Sequence, residues 1–142
     1  MVQVSSLQAL LAEFVAREPA CLLGSATKPN PAGLGRVVRD SAGNFEAIVE
    51  EKDATPVQRA ITEVNMSTYV FHAPDLLWAL QQLTADNAQG EYYLTDCPGV
   101  LKQAGRPVLA LNALQPIEAL SINTVDELKA VEAEMRRMTK LE

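Results

Sequence analysis

The sequence predicts one α/β domain with at least one antiparallel element, and three observations predict it. Helically spaced apolar residues alternate along the chain with short apolar runs of strand length. Two of those runs, Arg36 to Arg39 and Phe45 to Val49, flank Asp40-Ser41-Ala42-Gly43-Asn44, whose glycine and asparagine tolerate positive φ, so the unit reads as a β-hairpin. The 142 residues, 48% of them hydrophobic, suffice for one core and give no reason for a second.

Leu7, Leu10, Leu11, Phe14 and Val15 recur at three- and four-residue spacing and mark an opening helix with one apolar stripe, capped by Ser5 or Ser6. Ala20 to Ser25 has the length of a buried strand, and the prolines of Lys28 to Gly33 make a loop before the hairpin. Thr55-Pro56 caps and starts a short helix through Ala60. Val64 to Phe71 alternates as a strand, with Val64, Met66, Thr68 and Val70 on one side and Asn65, Ser67, Tyr69 and Phe71 on the other. Pro74-Asp75 begins a helix that turns Leu76, Leu77, Leu80 and Leu83 inward and ends near Asp86-Asn87. A helix from Thr95 to Ala104 and a strand from Pro107 to Leu111 follow. Thr124 and Glu127 form the capping box of the last helix, with Val125, Leu128, Val131, Met135 and Met138 as its buried stripe.

Charge and composition exclude several functions. A net charge of −6 without a basic stripe argues against binding a nucleic-acid backbone. No apolar run reaches membrane-spanning length and no signal peptide opens the chain, so a cytoplasmic location is expected. Cys21 and Cys97 lack metal-ligand spacing and read as reduced, buried small residues. His72 is the only histidine, and it reads as structural. With no Gly-x-Ser-x-Gly elbow beside it, nucleophilic hydrolysis has no support. Neither a Walker pattern nor a Gly-x-Gly-x-x-Gly turn is present.

What remains is a set of polar groups at strand ends, Gly35, Glu50, Asn65 and Asn123, and the segment Asn87-Ala88-Gln89-Gly90-Glu91-Tyr92-Tyr93-Leu94-Thr95-Asp96. Taken singly, Glu50 is a solvated carboxylate, Asn65 satisfies a strand edge, Asn123 precedes a cap, and Lys52 and Asp53 are an exposed charge pair. Tyr92 and Tyr93 read either as pocket rim or as anchors of a helix entrance. Their joint occurrence in order says more. Gly33-Leu34-Gly35-Arg36, Ile48-Val49-Glu50-Glu51-Lys52-Asp53-Ala54, Glu63-Val64-Asn65 and Asn87 to Asp96 resemble the corresponding segments of the bacterial N-acetylglucosamine-1-phosphate uridylyltransferase (UDP-N-acetylglucosamine pyrophosphorylase) family. The likeness runs over nearly the whole chain.

That resemblance implies a Rossmann-like, GT-A-like mixed sheet with flanking helices and a β-hairpin. It implies a nucleotidyltransferase that condenses UTP with N-acetylglucosamine 1-phosphate to UDP-N-acetylglucosamine and pyrophosphate. Position by position, Gly35, Glu50 and Asn65 match residues that hold the N-acetylglucosamine moiety, and Asn123 matches one that binds magnesium and phosphate. The family's glycine-rich nucleotide loop and its magnesium-binding aspartate would precede Met1. Residues 1–142 are thus expected to be the sugar-binding, C-terminal half of the catalytic domain, inactive alone, without the left-handed β-helix that follows it in the bifunctional enzyme. Two departures stand out: Asn65-Met66-Ser67 replaces the usual Asn-Thr-Gly, and Ser121-Ile122-Asn123 the usual Gly-Val-Asn. They leave room for a related enzyme using another sugar phosphate, or for a non-catalytic sugar-phosphate-binding or assembly module. A sheet cut at its central strand is also expected to self-associate through its exposed edge.

Overall fold

A computed structural model describes residues 2–120 and 125–139. Its centre is a five-stranded mixed sheet in the order β3-β2-β4-β1-β5. The strands are β1 (Cys21–Thr27), β2 (Arg36–Arg39), β3 (Phe45–Val49), β4 (Glu63–Phe71) and β5 (Val108–Asn112). β1 runs parallel to β5 and antiparallel to β4, and β2 and β3 form the expected hairpin. Its turn is shaped by Asp40, whose Oδ1 accepts from the Ala42 and Asn44 amides, and by Gly43 at φ 83°.

Alternation along β1 divides the core between the two faces of the sheet. Cys21 and Leu23 meet Val37, Phe45 and Ile48 of the hairpin on one side, beneath α3 (Ala73–Leu80) and α4 (Cys97–Gln103). Leu22 and Ala26 meet Leu114 and Leu10 of α1 (Val4–Arg17) on the other. Gly24 permits that second contact, because a Cβ there would stand 2.6 Å from Leu114 Cδ1 and 3.2 Å from Leu10 Cδ1. The short helix α2 (Pro56–Arg59) has the expected cap, a reciprocal box of Thr55 and Gln58. Both cysteines are free and wholly buried, and burial pushes their thiols up, away from reactive thiolates.

The helices depart from the expected pattern in three places. α1 is entered at Gln3 rather than capped by Ser5 or Ser6. Its first turn is held by Glu118, whose carboxylate accepts from the Gln3 amide (2.7 Å) and the Ser6 hydroxyl (2.8 Å). Ser6 and Leu10 are the inward residues, with Phe14 partly covered, so Leu7, Leu11 and Val15 face outward, about one residue's rotation away from the sheet. α3 ends at Leu80, short of Asp86, and buries Ala79 while Leu77 and Leu80 are exposed. In α5 (Val125–Thr139) only Val131 of the expected stripe is buried, whereas Val125, Leu128 and Met135 are exposed. Thr124, the Glu127 side chain and the Met138 side chain lie outside the described residues.

β4 carries an irregularity that simple alternation does not anticipate. Ser25 pairs with Asn65 but Gly24 with Thr68, so Met66 and Ser67 are looped out of the ladder. Two inserted residues preserve the phase, and Asn65 and Tyr69 still share a face with Ser25 and Leu23. Ser67 takes φ 49°, a left-handed conformation that suits glycine better than serine.

Candidate functional site

The hairpin and β4 bring three of the four sequence-predicted site residues together. Arg36 pairs with both Val49 and Val64, so Gly35, Glu50 and Asn65 each stand one step beyond a strand pairing at the same end of the sheet. The Asn65 amide donates to the Gly35 carbonyl (2.8 Å). A Cβ on Gly35 would lie 3.3 Å from Glu50 Oε1 and 3.0 Å from Ile48 Cγ2, so this position admits no larger residue without displacement. The fourth, Asn123, lies outside the described residues.

A buried guanidinium fixes the loops that carry these groups. Arg36, 1% exposed, donates to the carbonyls of Leu34 and Arg59 and pairs with Glu51 Oε2 at 2.6 Å. One side chain thereby ties together the stretches before β2, after β3 and at the end of α2. A second such clamp is bidentate: Arg39 grips both oxygens of Glu63, at 2.7 Å each.

Asn87 to Asp96 crosses over this end of the hairpin and is stitched to it. Thr95 Oγ1 donates to Glu50 Oε1 (2.9 Å), the Ala88 amide donates to Asp53 Oδ1 (2.9 Å), and Lys52 donates to Gln89. Lys52 and Asp53, both exposed as expected, also anchor this segment. Asn87 Oδ1 accepts from the Gln89 and Glu91 amides, which, with Gly90 at φ 66°, forms the bend. Tyr93 takes a hydrogen bond from Gln89 (2.6 Å) and lines the cavity beneath, whereas Tyr92 is exposed.

That cavity, of about 230 Å³, is walled by Ile48, Val49, Glu50, Asp53, Asp86, Asn87, Tyr93 and Asp96. Four of these are carboxylates and none is a cation. Burial, and then the charges of Glu50 and Asp53, hold the Asp96 carboxyl above its ordinary range. Such a wall accepts hydrogen bonds and repels phosphate. A larger cavity of about 580 Å³ lies near Ala20, at the opposite end of β1. Among its polar groups, Asp75 is bonded to both His72 and Arg106, and Arg106 stacks 4.1 Å over Trp78. Among the described residues no group of three or more His, Cys, Asp or Glu is placed to hold a metal ion. No described helix is long and apolar enough to cross a membrane.

One residue bonded into this cluster is not singled out by the sequence. Tyr69, two pairings along β4 from Asn65, receives a hydrogen bond from Asn65 Nδ2 at 2.7 Å. Only the same-face spacing of residues 65, 67 and 69 points to it.

No protein-family model matches the chain. Curated relatives do. It is 40% identical over 137 residues to the bifunctional protein GlmU of Lactococcus lactis subsp. lactis, a match covering 96% of this chain and 30% of that protein. GlmU of a Geobacillus strain is 42% identical over 134 residues (94% and 29%), and GlmU of Corynebacterium jeikeium 46% identical over 115 residues (81% and 24%). The chain is a homologue of one segment of GlmU. It spans under a third of the length of these GlmU proteins. The 137-residue match is long enough to take in the hairpin, β4 and the Asn87 to Asp96 strap together. In fold, the chain resembles the crystal structure of a nucleoside-diphosphate-sugar pyrophosphorylase from Vibrio cholerae, with a TM-score of 0.62 at 17% identity over 82% of this chain and 47% of that one. The likeness is one of architecture, a mixed sheet with flanking helices.

Proposed function

We propose that this chain recognises the sugar phosphate for a nucleotidyltransferase that joins UTP and N-acetylglucosamine 1-phosphate. The observation that carries the reading is the meeting of Gly35, Glu50 and Asn65 at one end of the sheet, with the Asn65 amide bonded to the Gly35 carbonyl and Glu50 lining a cavity walled by four carboxylates and no cation. Sugar hydroxyls need fixed acceptors and an acetamido group needs amide partners, and this end of the sheet supplies both. Glu50 Oε1 already accepts from Thr95, so Oε2 is the oxygen offered to a hydroxyl. The missing positive charge favours the sugar ring over the phosphate at this place.

In the proposed reaction a sugar-phosphate oxygen attacks the α-phosphorus of UTP and pyrophosphate leaves. The nucleophile is already an anion, so orientation and neutralisation of charge, rather than proton transfer, are what a protein must add. This chain's part is orientation. The described residues do not make a magnesium site, since the one candidate ligand, Asn123, falls outside them, and no step is routed through that ion here. Accordingly the chain alone is expected to bind the sugar phosphate and to form no UDP-N-acetylglucosamine. Calorimetric titration of the chain with N-acetylglucosamine 1-phosphate tests the first half, with Glu50→Gln as the variant that abolishes heat. Equal affinity for glucose 1-phosphate would remove the acetamido assignment, and absence of any binding would sink the reading altogether.

A further inference from the structure

Resting on that reading, the geometry points to Tyr69 as the positioning residue that orients the Asn65 carboxamide and makes Asn65 a hydrogen-bond donor to the ligand.

Asn65 is 5% exposed, so the direction of its amide is set by its neighbours and not by solvent. Its Oδ1 accepts from the Ser67 amide at 3.2 Å, across the two residues looped out of β4. Only oxygen can face a backbone N–H, which fixes the end of the carboxamide that carries nitrogen. Nδ2 then donates one hydrogen to the Tyr69 hydroxyl at 2.7 Å. The second Nδ2 hydrogen is the donor left for a ligand, so the group it meets is an acceptor: a hydroxyl oxygen or an acetamido carbonyl. Burial, opposed by the Asn65 hydrogen bond, raises the Tyr69 phenol well above the ordinary tyrosine range, and the oxygen accepts from Asn65 through a lone pair. The ring is held independently of its hydroxyl, packed on the core and tilted against Phe71 at 5.6 Å between centroids. Removing the oxygen therefore leaves the ring seated.

Two variants and two readouts test this. Tyr69→Phe should keep the fold and weaken N-acetylglucosamine 1-phosphate binding on the order of tenfold, the cost of one lost hydrogen bond. It should also shift the Asn65 side-chain amide resonances and speed their exchange with water. In Asn65→Asp the carboxylate still accepts from Ser67 and now accepts from Tyr69, so the bulge survives while the ligand's donor is gone. Binding should fall further, and adding Tyr69→Phe to it should cost little more, because the two residues act as one unit. Unchanged Asn65 resonances in Tyr69→Phe would overturn the proposal, and so would freed resonances with undiminished affinity. Should the parent bind no sugar phosphate, the reading of the site fails, and with it Asn65 as that ligand's donor; the resonances would then report only the Tyr69 contact. A Glu50→Gln control separates these cases, since it should lose binding while leaving the Asn65 resonances in place.

Discussion

The hairpin with β4 and the pair of helices α1 and α5 treat their apolar residues in opposite ways. In the hairpin the inward set is Val37, Phe45 and Ile48, all buried, and the turn chemistry fixes the register. In α1 and α5 an equally regular spacing leaves Leu7, Leu11, Val15, Val125, Leu128 and Met135 exposed. A strand has two faces, and a neighbour decides which is inside. A helix turns through a full circle, and where it rests is decided by a few contacts, here Gly24 admitting Leu10 and Glu118 holding Gln3 and Ser6.

The strongest way to break this comparison is to change adjacent leucines of α1. Leu10→Ala, at a wholly buried position, should cost about 3 kcal/mol in denaturant unfolding, whereas Leu11→Ala, half exposed, should stay within ~0.5 kcal/mol. Equal losses would mean that the helix rests on a different face. Next in size is the Arg39–Glu63 clamp. Glu63→Gln should cost about 2 kcal/mol at neutral pH, as expected for charge-assisted hydrogen bonds. Burial raises the Glu63 carboxyl, but the bonds from Arg39 and Ser25 lower it more, so it titrates below its ordinary value of 4.5. Its contribution should thus be fully present above pH 4.5 and vanish as pH falls through the lower folded value, leaving Glu63→Gln with a flatter acid limb.

Ser67→Gly should go the other way and stabilise by ~0.5–1 kcal/mol, by relieving a left-handed serine at the cost of some chain entropy. A loss instead would show that the Ser67 side chain contributes to the bulge. The smallest effect on stability, yet one visible in light scattering, concerns the exposed surfaces. β4 pairs with β2 only at Arg36 and Val64, so from Met66 onward that edge carries no strand among the described residues. Concentration-dependent self-association is expected, and Leu11→Lys should weaken it without lowering the unfolding midpoint. A strictly monomeric species at high concentration would argue that neither surface is adhesive.

Strand existence, the hairpin and the Thr55 cap were legible because each is written in residues only a few positions apart. The junction of Gly35, Glu50 and Asn65 was legible only by family likeness, since pairing through Arg36 depends on registers that local pattern does not encode. Tyr69 and the Glu118 contacts left no local mark. Both act through partners chosen by the tertiary fold: Tyr69 across a bulge that spacing hides, and Glu118 on a serine 112 residues away.

That last distance has a temporal meaning. A helix whose opening amide is bonded to the carboxylate of residue 118 keeps a frayed first turn until the segment around that residue has emerged and folded against it. Hydrogen exchange at the Gln3 amide would then report the docking of that distant segment rather than the helix in which it sits, and Glu118→Gln should open that one site while the centre of α1 stays protected.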